Sequence, residues 1–220
     1  MRLQIYSNLI NQLPIEQQAI EVNLKNWNKY IPKNYKKTFK GIFCNKDLII
    51  RENTIQISRH DLFKEGEKKN IYRFILMTLM WGYPSGMRGK NIPNILGNIK
   101  NIKKHLKRIK SMKSIDWDCE LIFIDSIKGL GLSTYSKMLY FLKLKVGKYP
   151  CLILDDRLIK VIKNKIFKEF DKRELENLKK KDYPKYLEIA SNIAKQLRTQ
   201  PDKIEMFLFV FGNKLKNNGA

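Results

Sequence analysis

Apolar and polar positions follow a helical repeat along most of the chain. Helices are predicted over residues 14–30, 70–81, 117–127, 133–143, 155–170, 182–198 and 201–216. Pro201 suits the first turn of a helix, and Ser58 suits the N-cap of a further helix that begins at Arg59. The segment 70–81 (NIYRFILMTLMW) is apolar on almost every face, which predicts the buried central helix.

Strand-like alternation is confined to a segment near the N-terminus. Residues 38–57 contain short runs of that kind, which are compatible with a small hairpin. No internal repeat and no linker stands out along the sequence. We therefore predict an all-α fold with a small β element near the N-terminus. Residues 1–220 are expected to form one globular unit of two closely packed helical lobes.

Composition narrows the class of protein. Of 220 residues, 43% are hydrophobic, which is enough for a core and argues against a disordered chain. No run of about 18 uncharged apolar residues suggests a membrane span, and Arg2 is not followed by the apolar stretch of a signal peptide. Cys44, Cys119 and Cys151 are too dispersed for a disulfide framework or a zinc site. We expect a monomer in the cytoplasm, without contact to membranes.

Metal and cofactor sites are not predicted. His60 and His105 have no ligand partners at metal-binding spacing, and no cysteine cluster suggests an iron–sulfur centre. The sequence therefore predicts neither a resident metal nor a cofactor.

A large excess of basic residues points to a polyanionic partner. Lys and Arg number 44 against 21 Asp and Glu, a net charge of +23. AT-biased coding alone also enriches Lys, Ile and Asn, so composition leaves both explanations open. Residues 96–114 are more specific, because they hold seven basic residues and no acidic one on a helix with a single apolar face. The predicted phosphate contacts of this basic helix are Lys103, Lys104, Lys107 and Arg108.

Two predicted helices, within residues 117–143, flank a short glycine-containing turn. The turn is Lys128, Gly129, Leu130 and Gly131, and it follows Ile127. Glycines allow a sharp turn and expose amide groups at the start of the second helix, where a phosphate can bind. Simple contact between the two helices would use the same glycines. The pattern resembles the helix-hairpin-helix motif of DNA-binding proteins, which implies duplex DNA as the partner.

Acidic residues follow an apolar run downstream of the hairpin. In residues 150–158 (PCLILDDRL), Asp155 and Asp156 stand at the start of a predicted helix. This arrangement resembles the helix-hairpin-helix DNA glycosylases, among them endonuclease III, adenine glycosylases and 8-oxoguanine glycosylases. The resemblance implies that Asp155 is the essential aspartate, with Asp156 the alternative if the register differs by one. From the sequence alone, Asp155 could also be only a helix N-cap.

The same resemblance covers residues 65–165, which form the expected glycosylase-like core. The helix and glycine-rich loop at 70–89 are similar to those of bacterial proteins with an 8-oxoguanine-glycosylase-like fold. Family members with lyase activity use a lysine nucleophile, and the ungapped position for it is Ser133, as in adenine glycosylases. Lys137 lies one helical turn further on, 18 residues before Asp155, a spacing close to that of the lyase members. Both a water-activating and a lysine-dependent enzyme stay open.

Aromatic residues provide candidates for a pocket that holds an extruded base. These candidates are Trp81, Tyr83 and Tyr135. The resemblance implies base flipping and cleavage of the N-glycosidic bond, with 8-oxoguanine as the default lesion, and a monovalent cation held by hairpin carbonyls in this family. A non-catalytic DNA-binding module with the same hairpin is the alternative. A more distant one is an RNA-binding accessory protein.

Overall fold

A computed structural model describes residues 1–43, 48, 50–51, 53–86 and 91–216. Cys44, part of the segment 38–57 and the end of the loop at 70–89 lie outside the described residues. Within this part of the chain, helices dominate and the fold is mostly α, as predicted. The α-helices are α1 Ser7–Gln12, α2 Leu24–Asn28, α3 Lys36–Phe43, α4 Arg59–Glu67, α5 Ile71–Gly82, α6 Asn91–Gly97, α7 Ile99–Lys110, α8 Trp117–Ser126, α9 Leu132–Phe141, α10 Asp156–Lys163, α11 Tyr183–Gln196 and α12 Pro201–Lys216.

Five short strands accompany the helices in the described part of the chain. They are β1 Ala19–Asn23, β2 Ile50–Arg51, β3 Thr54–Ser58, β4 Lys145–Val146 and β5 Tyr149–Pro150. The first three form an antiparallel sheet in the order β1–β3–β2, and β4 pairs with β5. The prediction of a small β element near the N-terminus is confirmed.

The predicted helix over residues 14–30 is wrong. β1 occupies its centre, because Ile20 and Val22 pair with Ile57 and Ile55 of β3. Ile55 and Ile57 are fully buried. β3 thus provides β1 with buried apolar neighbours, which favours a strand over a helix at these positions. Only the short helix α2 follows.

The predicted central helix is confirmed as α5. It packs against α3, α4, α7 and α9, and its residues 74–81 are all buried. α4 begins at the predicted cap: the Ser58 hydroxyl accepts a hydrogen bond from the Asp61 amide, and the Asp61 carboxylate accepts one from the Ser58 amide. α5 runs through the core, and its C-terminal end, at Trp81 and Gly82, lies beside α9.

The C-terminal third is more broken than its sequence pattern. α10 ends at Lys163 rather than near residue 170, because Lys165 takes a left-handed conformation with φ of 52°. Short 3₁₀ turns follow at Lys168–Phe170, Arg173–Leu175 and Lys180–Asp182 before α11 begins. α12 then packs against both α10 and α11. Among the described residues, no helix combines the length and the apolar character needed to cross a bilayer.

Candidate active site

A cavity of about 360 Å³ opens where the ends of several helices meet. Its volume lies within the range of pockets that hold small organic molecules. The lining side chains come from β1, α5, α9, α10 and α12, and from the loop after α5. They are Ile20, Trp81, Gly82, Pro84, Ser133, Lys137, Asp155, Asp156, Arg157 and Phe209. The cavity thus contains all four residues that the sequence nominated for catalysis.

Lys137 is the most unusual residue of this cavity. It is only 5% exposed, and its Nζ donates hydrogen bonds to the carbonyl oxygen of Ser133 at 2.9 Å and to the Ser133 hydroxyl at 3.0 Å. Burial lowers the pKa of the amine, and the carboxylate of Asp155 opposes that shift. A larger share of the amine is therefore neutral, and nucleophilic, than for a lysine in water.

Gly82, the last residue of α5, leaves room for the lysine stem. A Cβ atom at this position would lie 3.3 Å from Cδ and 3.5 Å from Cε of Lys137. Any larger side chain would therefore press on the methylene groups that carry the amine. The end of α5 thus fixes one wall of the space in which Lys137 sits.

Asp155 stands at the N-cap of α10, as one interpretation of the sequence predicts. Its Oδ1 accepts hydrogen bonds from the amides of Arg157 and Leu158, both at 3.0 Å. Among the described residues, no hydrogen bond to its Oδ2 is present, and the side chain is partly exposed to the cavity. Capping therefore orients the carboxylate and leaves its second oxygen available.

The extended segment before Asp155 is held on both sides by side chains. The amide of Leu154 donates to the Ser136 hydroxyl of α9 at 3.1 Å. Two tyrosines of α11 bind its other peptide groups: the Tyr183 hydroxyl donates to the Leu152 carbonyl at 2.6 Å, and the Tyr186 hydroxyl donates to that of Ile153 at 3.2 Å. These bonds place Asp155 relative to Lys137, which lies one residue after Ser136 on α9.

A buried ion pair lies near the cavity. Arg59 and Glu205, each 1% exposed, form two hydrogen bonds of 2.8 and 3.1 Å between guanidinium and carboxylate. The guanidinium lies 5.7 Å from the centre of the Trp81 ring and also donates to the Tyr140 hydroxyl. Burial raises the pKa of Glu205, and Arg59 opposes that shift. Glu205 raises the pKa of the Lys137 amine, and Arg59 lowers it.

The outer wall of the cavity was missed by the sequence interpretation. The Arg157 guanidinium lies 4.6 Å from the centre of the Phe209 ring, so α10 and α12 meet in a cation–π contact there. Phe209 belongs to the apolar run 206–211 of α12, where nothing in the sequence separates a wall residue from a core residue. Trp81, which was nominated, does line the cavity.

Two of the nominated aromatic residues lie outside this cavity. Tyr135 is fully buried, its hydroxyl donates to Glu120, and burial raises its pKa. It belongs to a core cluster with His105, so its assignment to the base pocket is wrong. Tyr83 bonds to the Thr134 hydroxyl at 2.7 Å and lines a neighbouring cavity instead.

That second cavity, of about 370 Å³, lies against the hairpin. It is lined by Tyr83, Asn91, Gly129, Gly131, Leu132, Ser133, Asp156, Ile159, Leu178, Lys179 and Lys180. Lys128, next to Gly129 in the chain, is exposed. The amides of Thr134 and Tyr135 donate to the Gly131 carbonyl, whereas among the described residues the amides of Leu132 and Ser133 have no acceptor. Lys179 and Lys180 were not nominated, although the basic run 179–181 was visible in the sequence.

Within the hairpin the two glycines and Leu130 differ in role. Gly129 has φ of 86°, and a Cβ there would lie 3.0 Å from Cα of Asn91. Leu130 is 4% exposed and its amide donates to the carbonyl of Ile127 at 3.0 Å. The Leu130 amide is therefore used inside the turn and is not free to donate to a phosphate, so its predicted phosphate contact finds no support here.

The basic helix is α7, with the predicted apolar face. Ile99, Ile102, Leu106 and Ile109 are buried on one side of it. Of the predicted phosphate contacts, Lys104, Lys107 and Arg108 are exposed, whereas the Lys103 amine lies 4.0 Å from the centre of the Tyr72 ring.

In the part of the chain that the structure describes, no three His, Cys, Asp or Glu side chains come together as a metal site would require.

Comparison with known proteins shows a family match over most of the chain. The model of the family described as "Putative 8-oxoguanine DNA glycosylase OGG-like protein" matches residues 13–209. Neither the curated proteins nor the solved structures gave a match. The matched range includes every residue that lines the cavity.

Proposed function

The chain belongs to the 8-oxoguanine DNA glycosylase OGG-like family, and from this premise we propose that it is a helix-hairpin-helix DNA glycosylase that also cleaves abasic sites. One observation carries the proposal: a buried lysine of lowered pKa and an oriented aspartate line the same cavity. A module that only binds DNA needs neither group. The buried lysine therefore favours the enzyme over the non-catalytic alternative.

The hairpin supplies the first step, binding of the duplex. Gly131, Leu132 and Ser133, whose amides have no acceptor among the described residues, line the hairpin cavity together with Lys179, and this combination suits a backbone phosphate. Ser133 belongs to this same turn and also lines the lysine cavity. A phosphate bound at the hairpin would thus bring the adjoining nucleotide to the Lys137 cavity.

The extruded base would lie in the cavity between Trp81 and Phe209, the aromatic residues of its lining. The neutral Lys137 amine forms a bond from nitrogen to C1′ of the deoxyribose. The bond from C1′ to the base nitrogen breaks, and the base leaves with the electron pair and takes up a proton. The attacking nitrogen loses a proton and its lone pair forms the C1′=N bond of a Schiff base, while the C1′–O4′ bond breaks and O4′ keeps that electron pair and takes up a proton.

Asp155 stabilises the positive charge that develops on the sugar, through the oxygen that capping leaves free. Ser133 acts as a positioning residue, because its hydroxyl and carbonyl hold the lysine amine. The family description points to oxidised guanine as the first base to test.

The proposal is tested on duplexes that carry different lesions, with borohydride present. We expect a covalent protein–DNA adduct on one lesion and none with Lys137→Gln. Asp155→Asn should lower base release by at least about 100-fold and keep DNA affinity, since loss of a negative charge does not weaken phosphate contacts.

Asp156→Asn is the matched control, because Asp156 lines the same cavity and is exposed. It should retain most activity. Loss of base release in Asp156→Asn alone would reassign the aspartate by one position. Excision by wild-type protein with no trapped adduct would refute the lysine step, and wild-type activity in both aspartate variants would refute the catalytic role of this cavity.

A further inference from the structure

A second basic surface lies on α7, away from the hairpin. A groove of about 310 Å³ separates the start of α5 from the end of α7. Its lining is Lys68, Lys69, Ile71, Lys107, Lys110 and Ser111, with no acidic side chain. Together with Lys100, Lys103 and Lys104 these lysines form what we call the α7 lysine surface.

The lysines of α7 share one flank of the helix. At 100° per residue, positions 100, 103, 104, 107 and 110 fall within about a third of the circumference. Contacts show where this flank faces: the Lys103 amine lies over Tyr72 of α5, and the Lys110 amine donates to the Gly66 carbonyl at the end of α4 at 2.6 Å. The opposite flank faces α8, where His105 stacks on Phe123 at 3.6 Å.

Little negative charge is left to neutralise this surface. Glu65 is paired with Lys68 and lies 3.2 Å from Arg73, and Glu67 is paired with Lys143. Among the described residues, Lys69 and Lys107 make no ion pair with a carboxylate. Both are exposed in the same groove, so an anion entering it would meet two unpaired ammonium groups.

The two basic surfaces lie at opposite ends of α5. Ile71, at its start, lines the lysine groove, and Tyr83, just past its end, lines the hairpin cavity. A helix of this length spans about 18 Å, which corresponds to roughly five base pairs of duplex DNA. One ligand small enough for the hairpin cavity cannot occupy both places.

We propose that the α7 lysine surface is a second binding site for the phosphodiester backbone of nucleic acid, separate from the hairpin. The phosphates can belong to the same duplex, beyond the flipped base, or to another duplex segment. Their chemistry is the same in either case: closely spaced single negative charges that ammonium groups contact without reading sequence.

The test is salt-dependent binding of an undamaged duplex, so its outcome does not depend on base excision. The triple variant Lys69→Gln, Lys104→Gln and Lys107→Gln should lose roughly tenfold in affinity at moderate salt. The slope of log affinity against log salt should fall by about 0.9 for each lost phosphate contact. The control Lys168→Gln, Lys172→Gln and Lys195→Gln has the same net charge and changes exposed lysines that do not belong to the α7 lysine surface.

Equal affinities and equal slopes in the two triple variants would overturn the proposal. Duplex length separates the two sources of phosphate, using a non-cleavable lesion analogue near one end or the other. If the same duplex reaches the surface, cutting one arm below about five base pairs should weaken wild-type binding and leave the lysine variant unchanged. If another segment binds, arm length has no effect, and wild-type protein alone takes up a second duplex at excess DNA.

Discussion

At the scale of single residues, Lys137 shows a conflict between chemistry and stability. Its amine is buried and its pKa is lowered, so the folded protein binds this proton less tightly than the unfolded chain does. Between the lowered pKa and the ordinary value of 10.5, the free energy of unfolding therefore rises with pH. Below the lowered pKa, the full cost of burying this charge opposes folding.

Lys137→Met should consequently stabilise the protein while removing the nucleophile. Methionine fills a similar volume without a charge, and we expect a gain of about 1 kcal/mol at pH 7. The gain should shrink as pH rises towards 10.5, because the lysine then loses its charge in both states. Urea unfolding at pH 7 and pH 10 measures it, with Lys195→Met as the exposed control; a loss of stability at both pH values would contradict this account.

At the scale of elements, the hairpin depends on one glycine for two separate reasons. Gly129 has a left-handed conformation, and its Cα faces the backbone of Asn91 at the start of α6. Gly147, between β4 and β5, has φ of 58°, but a Cβ atom at that position would have nothing within 4 Å of it. A comparison of Gly147 with Gly129 therefore separates the cost of a left-handed conformation from the cost of steric overlap.

Gly147→Ala should cost about 1–2 kcal/mol of stability from conformational strain alone. Gly129→Ala should cost about 1–3 kcal/mol more, because α6 must move to admit the methyl group. Only the Gly129 variant should also bind duplex DNA more weakly. Denaturant midpoints measure the loss of stability, and binding isotherms measure the affinity for duplex DNA. Equal destabilisation of the two variants would show that α6 moves to admit the methyl group at no cost in stability.

Local patterns predicted those elements whose apolar face is decided within the element itself. α5, α8, α9 and α12 were found because each carries its own helical repeat or cap signal. β1 was missed because its conformation depends on β3, more than thirty residues away, and a hydrophobic run of that length suits either structure.

The site was predictable only where chemistry and resemblance coincided. Ser133 and Asp155 were predicted from the family motif, Lys137 from its spacing to Asp155, and Trp81 as an aromatic residue for base stacking; all four line the cavity. Phe209 carried no signal, since its place on the wall follows from how α12 crosses α10. Tyr135 was misplaced for the converse reason: an aromatic residue beside a catalytic motif can still point into the core.

At the scale of the whole molecule, the Arg59–Glu205 pair joins residues that are 146 positions apart. Arg59→Met should destabilise the protein by about 3–5 kcal/mol, because Glu205 is left as a buried charge without a partner. That deficit should shrink at lower pH, since burial raises the pKa of Glu205 and protonation removes the charge.

The double variant with Arg59→Met and Glu205→Met should recover most of this loss. Thermal or urea unfolding of the wild type, of Arg59→Met, of Glu205→Met and of the double variant gives a double-mutant cycle. Losses of stability that simply add would contradict direct coupling between Arg59 and Glu205. We also expect one unfolding transition, because the pair connects α4 with α12, which lie far apart in the sequence. Two separate transitions would refute the prediction of one globular unit over residues 1–220.

The same pair has a consequence for how this sequence can drift over generations. A single replacement at either position should produce a protein that folds poorly, whereas replacement of both should produce one that folds well. A change from two charged residues to two apolar residues must therefore pass through a less stable single variant. Relatives of this chain should carry either both charges or two apolar residues at these positions, with few intermediates, although the positions are 146 residues apart in the sequence.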